Sequence, residues 1–298
     1  MIDINQRRAG LLFGSFTADA LSLGVHWIYD TAELSQKFGY VDSFHAPGAD
    51  SYHPKKKAGE QSHVGDQALC LAKHLRQKKE WNAEAFMSSW VSMWNDYQDY
   101  FDHATKQTLE NVRDGSAITN SACESQELAG PARIAPLVAF LYNEDEESVA
   151  VAALKQTQLT HRSYKADETT RFLASACYRL LHGAELATTI RDLAPKEALQ
   201  NAESQLGLDS VEAIKSLGQS CSINAALPSV LYLILKHGDN LPKAFSENAM
   251  AGGDNCARGL ALGMLLGAAH GIDAIPREWS EKLQSKAELN ALLEIRKR

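Results

Sequence analysis

Ala251-Gly252-Gly253-Asp254-Asn255-Cys256-Ala257-Arg258-Gly259 is the stretch on which the reading of this chain turns. Gly253 gives a flexible entry, and Asp254 stands before an apolar run, where a carboxylate accepts free backbone amides and offsets the positive helix end. From Asn255 the pattern predicts a helix over 255–270, with Gly259, Gly263, Gly267 and Gly271 spaced by four. Gly10, Gly14, Ala18 and Ser22 repeat that spacing near the other end of the chain. Small residues four apart share one slowly drifting face and let backbones approach closely. The two stripes read either as tight packing alone or as packing that holds Asp19 and Asp254 together at the floor of a site.

Outward from this stretch, helical periodicity continues over 67–79, 83–100, 147–158, 167–181 and 229–236, and convincing strand alternation is absent. The chain is read as all-α, more than half helical, and as one domain over 1–298. Breakers are expected at 115–130, 183–195 and 207–228, none long or biased enough to link two domains. The longest irregular stretch, 44–63, carries His45, His53, Lys55, Lys56 and Lys57 and runs straight into Asp66. Long loops in compact domains are more often functional than idle.

With 298 residues and 45% apolar content, the chain can bury a large core. A formal net charge of −7 leaves no basic surface for a phosphate backbone, so nucleic acid is not expected as a partner. Cys70, Cys123, Cys177, Cys221 and Cys256 are odd in number and scattered, which points to free thiols and a cytoplasmic setting. The first ten residues carry no apolar run of the signal-peptide kind, and the most apolar stretch, 260–269, is about half the ~20 residues a bilayer requires. No membrane partner is expected, and oligomeric state is not legible.

The Gly-Gly-Asp loop and three other segments, in order along nearly the whole chain, resemble the ADP-ribosylglycohydrolases. That family's late motif reads Gly-Gly-Asp-x-Asp-Thr; here Asp254 keeps the first acid, while Cys256 and Ala257 stand at the second acid and the threonine. The segment from Gly10 through Asp19, Ala20 and Leu21 looks like the family's opening helix, with His26 at its glutamate position. Val64-Gly65-Asp66-Gln67 matches Thr-Asp-Asp-Thr with only Asp66 retained, and Ala129-Gly130-Pro131-Ala132-Arg133 followed by Thr160-His161 matches the central motif in part. The strings around His26-Trp27, Gly65-Asp66-Gln67 and Ala257-Arg258-Gly259 are similar to a branch near the J-type crystallins, which includes proteins without demonstrated glycohydrolase chemistry.

The resemblance implies a single orthogonal multi-helix domain that takes ADP-ribose, a related nucleotide sugar or an ADP-ribosylated substrate. In the full pattern, acidic and hydroxyl side chains of two loops hold two Mg2+ ions. Asp66 and Asp254 alone imply at most one, weakly held, because Mg2+ wants near-octahedral oxygen ligands; read from the residues alone, both are N-caps rather than ligands. His26 takes the role of general base near neutral pH, or is a core histidine beside Trp27 and Tyr29. Asp19, His63, Gln67 and Asn255 fall beside substrate. Arg133 pairs with a diphosphate or is an internal strut, with Thr160 and His161 next to it.

Cys256 is a soft donor that points away from Mg2+. It is either a helix-activated thiol or a buried filler. Arg258 could pair with Asp254 or Asp66 and replace metal charge with a fixed cation. Trp90, Trp94, Tyr97 and Phe101 recur at helical spacing and read as a core stripe or an adenine platform. No Gly-rich phosphate loop, Cys/His zinc pattern or Gly-x-Ser-x-Gly elbow is present. Two functions follow: a divergent glycosidic-bond hydrolase, or a non-catalytic nucleotide binder or crystallin-like structural protein.

Overall fold

The two glycine-spaced helices, Ile4–Leu23 and Asn255–His270, lie antiparallel with their backbones touching in the computed structural model, which describes residues 2–295. A methyl group on Gly14 would stand 2.4 Å from the Gly263 carbonyl oxygen, and one on Gly10 would stand 2.3 Å from that of Gly267. No side chain fits there, so the spacing seen in the sequence is what allows this central pair. Both helices are buried over most of their length, and Leu11, Phe16, Leu260 and Leu265 lie at the centre of the core. Helices Tyr164–Leu181, Ile223–His237 and Leu241–Met250 pack on the C-terminal member, and Ala135–Phe140 and Lys286–Leu293 on the N-terminal one.

The chain is 66% helical, above the half expected, in a single compact all-α domain. Among the described residues there are no strands, only isolated bridges joining Cys123 to His161 and Glu127 to Ser222. No helix among them is long and apolar enough to cross a membrane.

Several boundaries differ from the sequence pattern for local reasons. The helix expected from 67 starts at His63, because Ser62 Oγ accepts from the amides of Val64 and Gly65. Asp66 is therefore in the first turn and is not the cap. The stretch 183–195 holds the short helix Leu186–Leu193, capped by Glu185, and 207–228 holds Ser210–Leu217, capped by Asp209. Two-turn helices are too brief to show a period, so these were legible only through their caps. Helix Ile223–His237 carries Pro228 in its interior, where the pattern predicts a start at 229.

Candidate functional site

Antiparallel packing of the central pair sets the end of the first helix against the start of the last. Asn248 donates to Ser22 Oγ at 3.0 Å, and His26 Nδ1 meets Asn255 Oδ1 at the same distance. The next residue, Trp27, adopts a left-handed backbone with φ 61°, uncommon for a bulky residue. Its amide donates to the Gly253 carbonyl and the Gly253 amide donates back to Ile28, each at 2.9 Å. Gly252 and Gly253 both have positive φ, and a side chain on Gly253 would strike Gln219 at 2.4 Å, so the Gly-Gly pair is what lets this loop close on Trp27. Asp254 stands at the N-cap position but makes no cap; its carboxylate accepts from Trp27 Nε1 at 3.3 Å.

Asp254 opens onto a cavity of ≈ 440 Å³ with the aromatic walls Trp27, Tyr52 and Tyr100 and two further acids, Asp102 and Glu127. Glu127 is brought there by its bridge to Ser222. Asp102 caps helix His103–Arg113 through one oxygen and faces His63 Nε2 with the other, at 3.5 Å. Burial pushes the Asp254 carboxyl up to about 6, against the lesser pull of Trp27 and Arg258. Burial also raises Glu127, more than its Cys221 hydrogen bond lowers it. The cavity thus holds Asp254, a carboxyl raised to about 6, beside Glu127, a second carboxyl raised by burial, a pairing suited to general acid–base work.

Asp66 does not open onto this cavity. It lines a separate one with Cys70, Met93 and Tyr97. Its Oδ2 accepts from Lys56 Nζ at 2.5 Å and from Tyr97 OH at 2.6 Å. Among the described residues no side chain hydrogen-bonds to both Asp66 and Asp254. Asp19 is fully buried and accepts from the Ser62 amide at 2.9 Å and Ser62 Oγ at 2.6 Å, so it ties the head of the helix His63–Lys78 to the first helix. Burial pushes its carboxyl up to about 7.

A pair of Mg2+ ions does not fit these residues. Val64, Gly65, Cys256 and Ala257 bring no hard oxygen ligand. Lys56 already neutralises Asp66, and a side chain on Gly65 would stand 2.2 Å from Asp19 Oδ2, so the missing acid's space is filled.

The remaining residues expected beside substrate form supports under the cavity. Arg133, fully buried, donates to Gln67 Oε1 and Thr160 Oγ1, and burial lowers it to about 10. His161 Nδ1 meets Thr160 Oγ1 at 2.9 Å, and burial with the Arg133 charge takes its ring down to about 3. Trp90 also donates to Gln67, at 2.8 Å, and with Trp94 it is buried in the core. Arg258 donates to Asn248 Oδ1 and to the Asn248 and Gly252 carbonyls, bracing the Gly-Gly loop rather than forming an ion pair. Burial raises the Cys256 thiol well above its ordinary value, which overrides the helix field expected to activate it.

His26 is buried, and desolvation with its histidine neighbours holds the ring well below its ordinary pKa. His63 lines the cavity, as His103 does; desolvation lowers His63 likewise. His53, from the loop expected to be functional, stacks between them, with ring centroids 5.6 Å from His26 and 5.4 Å from His63. His53, Tyr52, Tyr100, Asp102 and Glu127 have no motif to announce them; His53, Tyr52 and Glu127 lie in stretches that read as irregular, whereas the pattern puts Tyr100 at the end of a helix that in the structure stops at Asn95.

The architecture is one already seen. The chain superposes on a structure titled "ADP-ribosylglycohydrolase-related protein complex" with a TM-score of 0.78 and 22% identity, over 98% of this chain and 97% of that one, so the two share a fold. The ADP-ribosylglycohydrolase family model matches residues 2–297, and the chain belongs to that family. Two curated relatives from Tripedalia cystophora are similar over their length: crystallin J1A, 23% identical over 92% of this chain and 90% of its own, and crystallin J1B, 22% identical over 93% and 91%.

Proposed function

We propose that the protein hydrolyses a glycosidic bond of ADP-ribose or a related nucleotide sugar in the cavity walled by Trp27, Tyr52 and Tyr100. The carrying observation is Asp254: a buried carboxyl, lifted to about 6, held by Trp27 and facing Glu127 and Asp102 across one ≈ 440 Å³ space. Asp254 accepts a proton from water as the water oxygen bonds the anomeric carbon. The glycosidic electron pair leaves with the departing group, which takes a proton from Glu127, whose carboxyl burial raises.

The residues lining the cavity include no lysine or arginine, so the sugar end enters and the diphosphate stays at the mouth, where His103 lies and Lys106 Nζ sits 5.7 Å over the Tyr100 ring. Arg133, Thr160, His161, Gln67, Asn255, Arg258 and Asp19 position the walls. Because Asp66 and Asp254 serve different cavities, at most one Mg2+ is held, weakly, and no step is assigned to it.

The test is release of free sugar or ADP-ribose from ADP-ribosylated substrates, followed by mass spectrometry, beside calorimetry with ADP-ribose. Turnover lost in Asp254→Asn with binding retained supports the assignment; turnover unchanged in that variant overturns it. The likeness to crystallins J1A and J1B favours a second reading, a non-catalytic descendant. Binding of ADP-ribose without turnover by the wild type, in the presence and absence of Mg2+, selects it.

A further inference from the structure

Three histidines far apart in their local setting converge inside the protein: His26 just after the first helix, His53 in the long irregular loop, and His63 at the head of the helix that follows it. All three are buried, and one nitrogen from each lies within 4.8 Å of the others. His26 Nε2, His53 Nε2 and His63 Nδ1 have no hydrogen-bond partner. Buried polar atoms almost always have one, so three orphans on neighbouring rings, with centroids 5.4 to 6.2 Å apart, require an explanation.

The opposite nitrogen of each ring is held. His53 Nδ1 faces Asp99 Oδ1 at 3.0 Å, His63 Nε2 faces Asp102 Oδ2 at 3.5 Å, and His26 Nδ1 meets Asn255 Oδ1 at 3.0 Å. An oxygen acceptor fixes the proton on the nitrogen that faces it, and so leaves the lone pair on the other. Each orphan nitrogen is therefore a lone-pair donor, and each ring is oriented by an outer oxygen. That is the arrangement found around metal-bound histidine, where the second nitrogen donates to a carboxylate or carbonyl.

We propose that His26, His53 and His63 bind one late first-row divalent ion, Zn2+ before others, through three neutral imidazoles, with water at the fourth position. Imidazole nitrogen suits Zn2+, Cu2+ and Ni2+, whereas Mg2+ demands oxygen, so this centre differs in its ligands from the carboxylate pair the family pattern implies. Binding draws the three nitrogens together from their 4.8 Å spread towards the separation set by Zn–N bonds of about 2.0–2.1 Å. The site joins the first helix, the long loop and the helix from His63, and it stands whether or not the cavity beyond His63 is catalytic.

The test uses the full chain, stripped with chelator, and Zn2+ or Co2+ alone as probe. One ion per chain is expected, undisturbed by excess Mg2+, with a visible Co2+ spectrum of low-coordinate type. X-ray absorption on the Zn2+ form should show a shell dominated by imidazole nitrogen at about 2.0–2.1 Å. His53→Gln should abolish uptake, and Asp99→Asn should weaken it about 10- to 100-fold by releasing the His53 ring. The proposal is overturned if the folded wild type takes up no stoichiometric ion, if the absorption shell is sulfur or carboxylate in character, or if His53→Gln binds as the wild type does. Should His53→Gln fail to fold by circular dichroism, the wild-type spectrum and Asp99→Asn decide.

Discussion

Asp254→Asn should make the protein more stable and less active at once, and the size of the effect depends on pH. The Asp254 carboxyl rises from 3.8 to about 6 in the folded chain because burial penalises its charged form. A folded-state value above the unfolded one means the stability tied to this group is fully present below pH 3.8 and is lost as pH climbs through about 6. Carried to completion, the loss is about 3 kcal/mol at 1.36 kcal/mol per pH unit. Asparagine never ionises, and its oxygen still accepts from Trp27 Nε1, so the variant escapes that loss. Urea unfolding of both proteins should show the variant ahead by about 3 kcal/mol near pH 8 and by only about 1 kcal/mol near pH 4.5. In the same variant, removal of the proposed general base should cut turnover about 10²- to 10⁴-fold, and wild-type turnover should fall on the acid side of about 6. A stability gap of the same size at both pH values, or a variant less stable than the wild type near pH 8, refutes the buried-charge reasoning.

Gly263→Ala places a methyl 2.1 Å from the Gly14 carbonyl oxygen and should lose about 1–3 kcal/mol through overpacking, while Gly207→Ala, with open space around it, should lose nothing; thermal unfolding compares them. Lys56→Met strips Asp66 of its cation in a largely buried pair and should destabilise by about 3 kcal/mol or more near neutral pH. Lys56→Met with Asp66→Asn should recover most of that, read by denaturant unfolding. Cys256, buried and with its thiol raised, should stay unlabelled by a thiol reagent in the native protein and react only after unfolding, as mass mapping would show.

The central helix pair was legible because glycine spacing is a backbone property: four-residue intervals at Gly10–Gly14 and Gly259–Gly263–Gly267 predict close approach without knowledge of the partner, and they meet each other. Helix starts were less legible where capping outweighed periodicity, as when Ser62 brought the helix start forward to His63. Within the site, Asp254 and His63 were in reach of a motif reading, and both line the cavity. Tyr52, Tyr100, Asp102 and Glu127 were not. Their places depend on how the irregular segments cross the end of the helix pair, and no local spacing encodes that. The same holds for His53, which matches no Cys/His zinc spacing yet ends beside His26 and His63.

The residues standing where the family carries acids are themselves built into the fold. Gly65 is small because Asp19 fills the space above it, and Asp19 in turn binds Ser62, which caps the helix bearing Asp66. Placing an aspartate at position 65 would set a second carboxylate against one already lifted to about 7, in a space with no room for its first carbon. The fixed cation that takes up Asp66's charge is Lys56, delivered by the long loop; Arg258, which its position near Asp254 singled out for that role, is spent on carbonyls and Asn248. Charge that two divalent ions would balance is thus handled by one lysine, one tyrosine hydroxyl and protonation of buried carboxyls. With the Asp66 side so occupied, the acids that share one cavity in this chain are Asp254, Glu127 and Asp102, of which Asp254 is the one that matches the Gly-Gly-Asp motif.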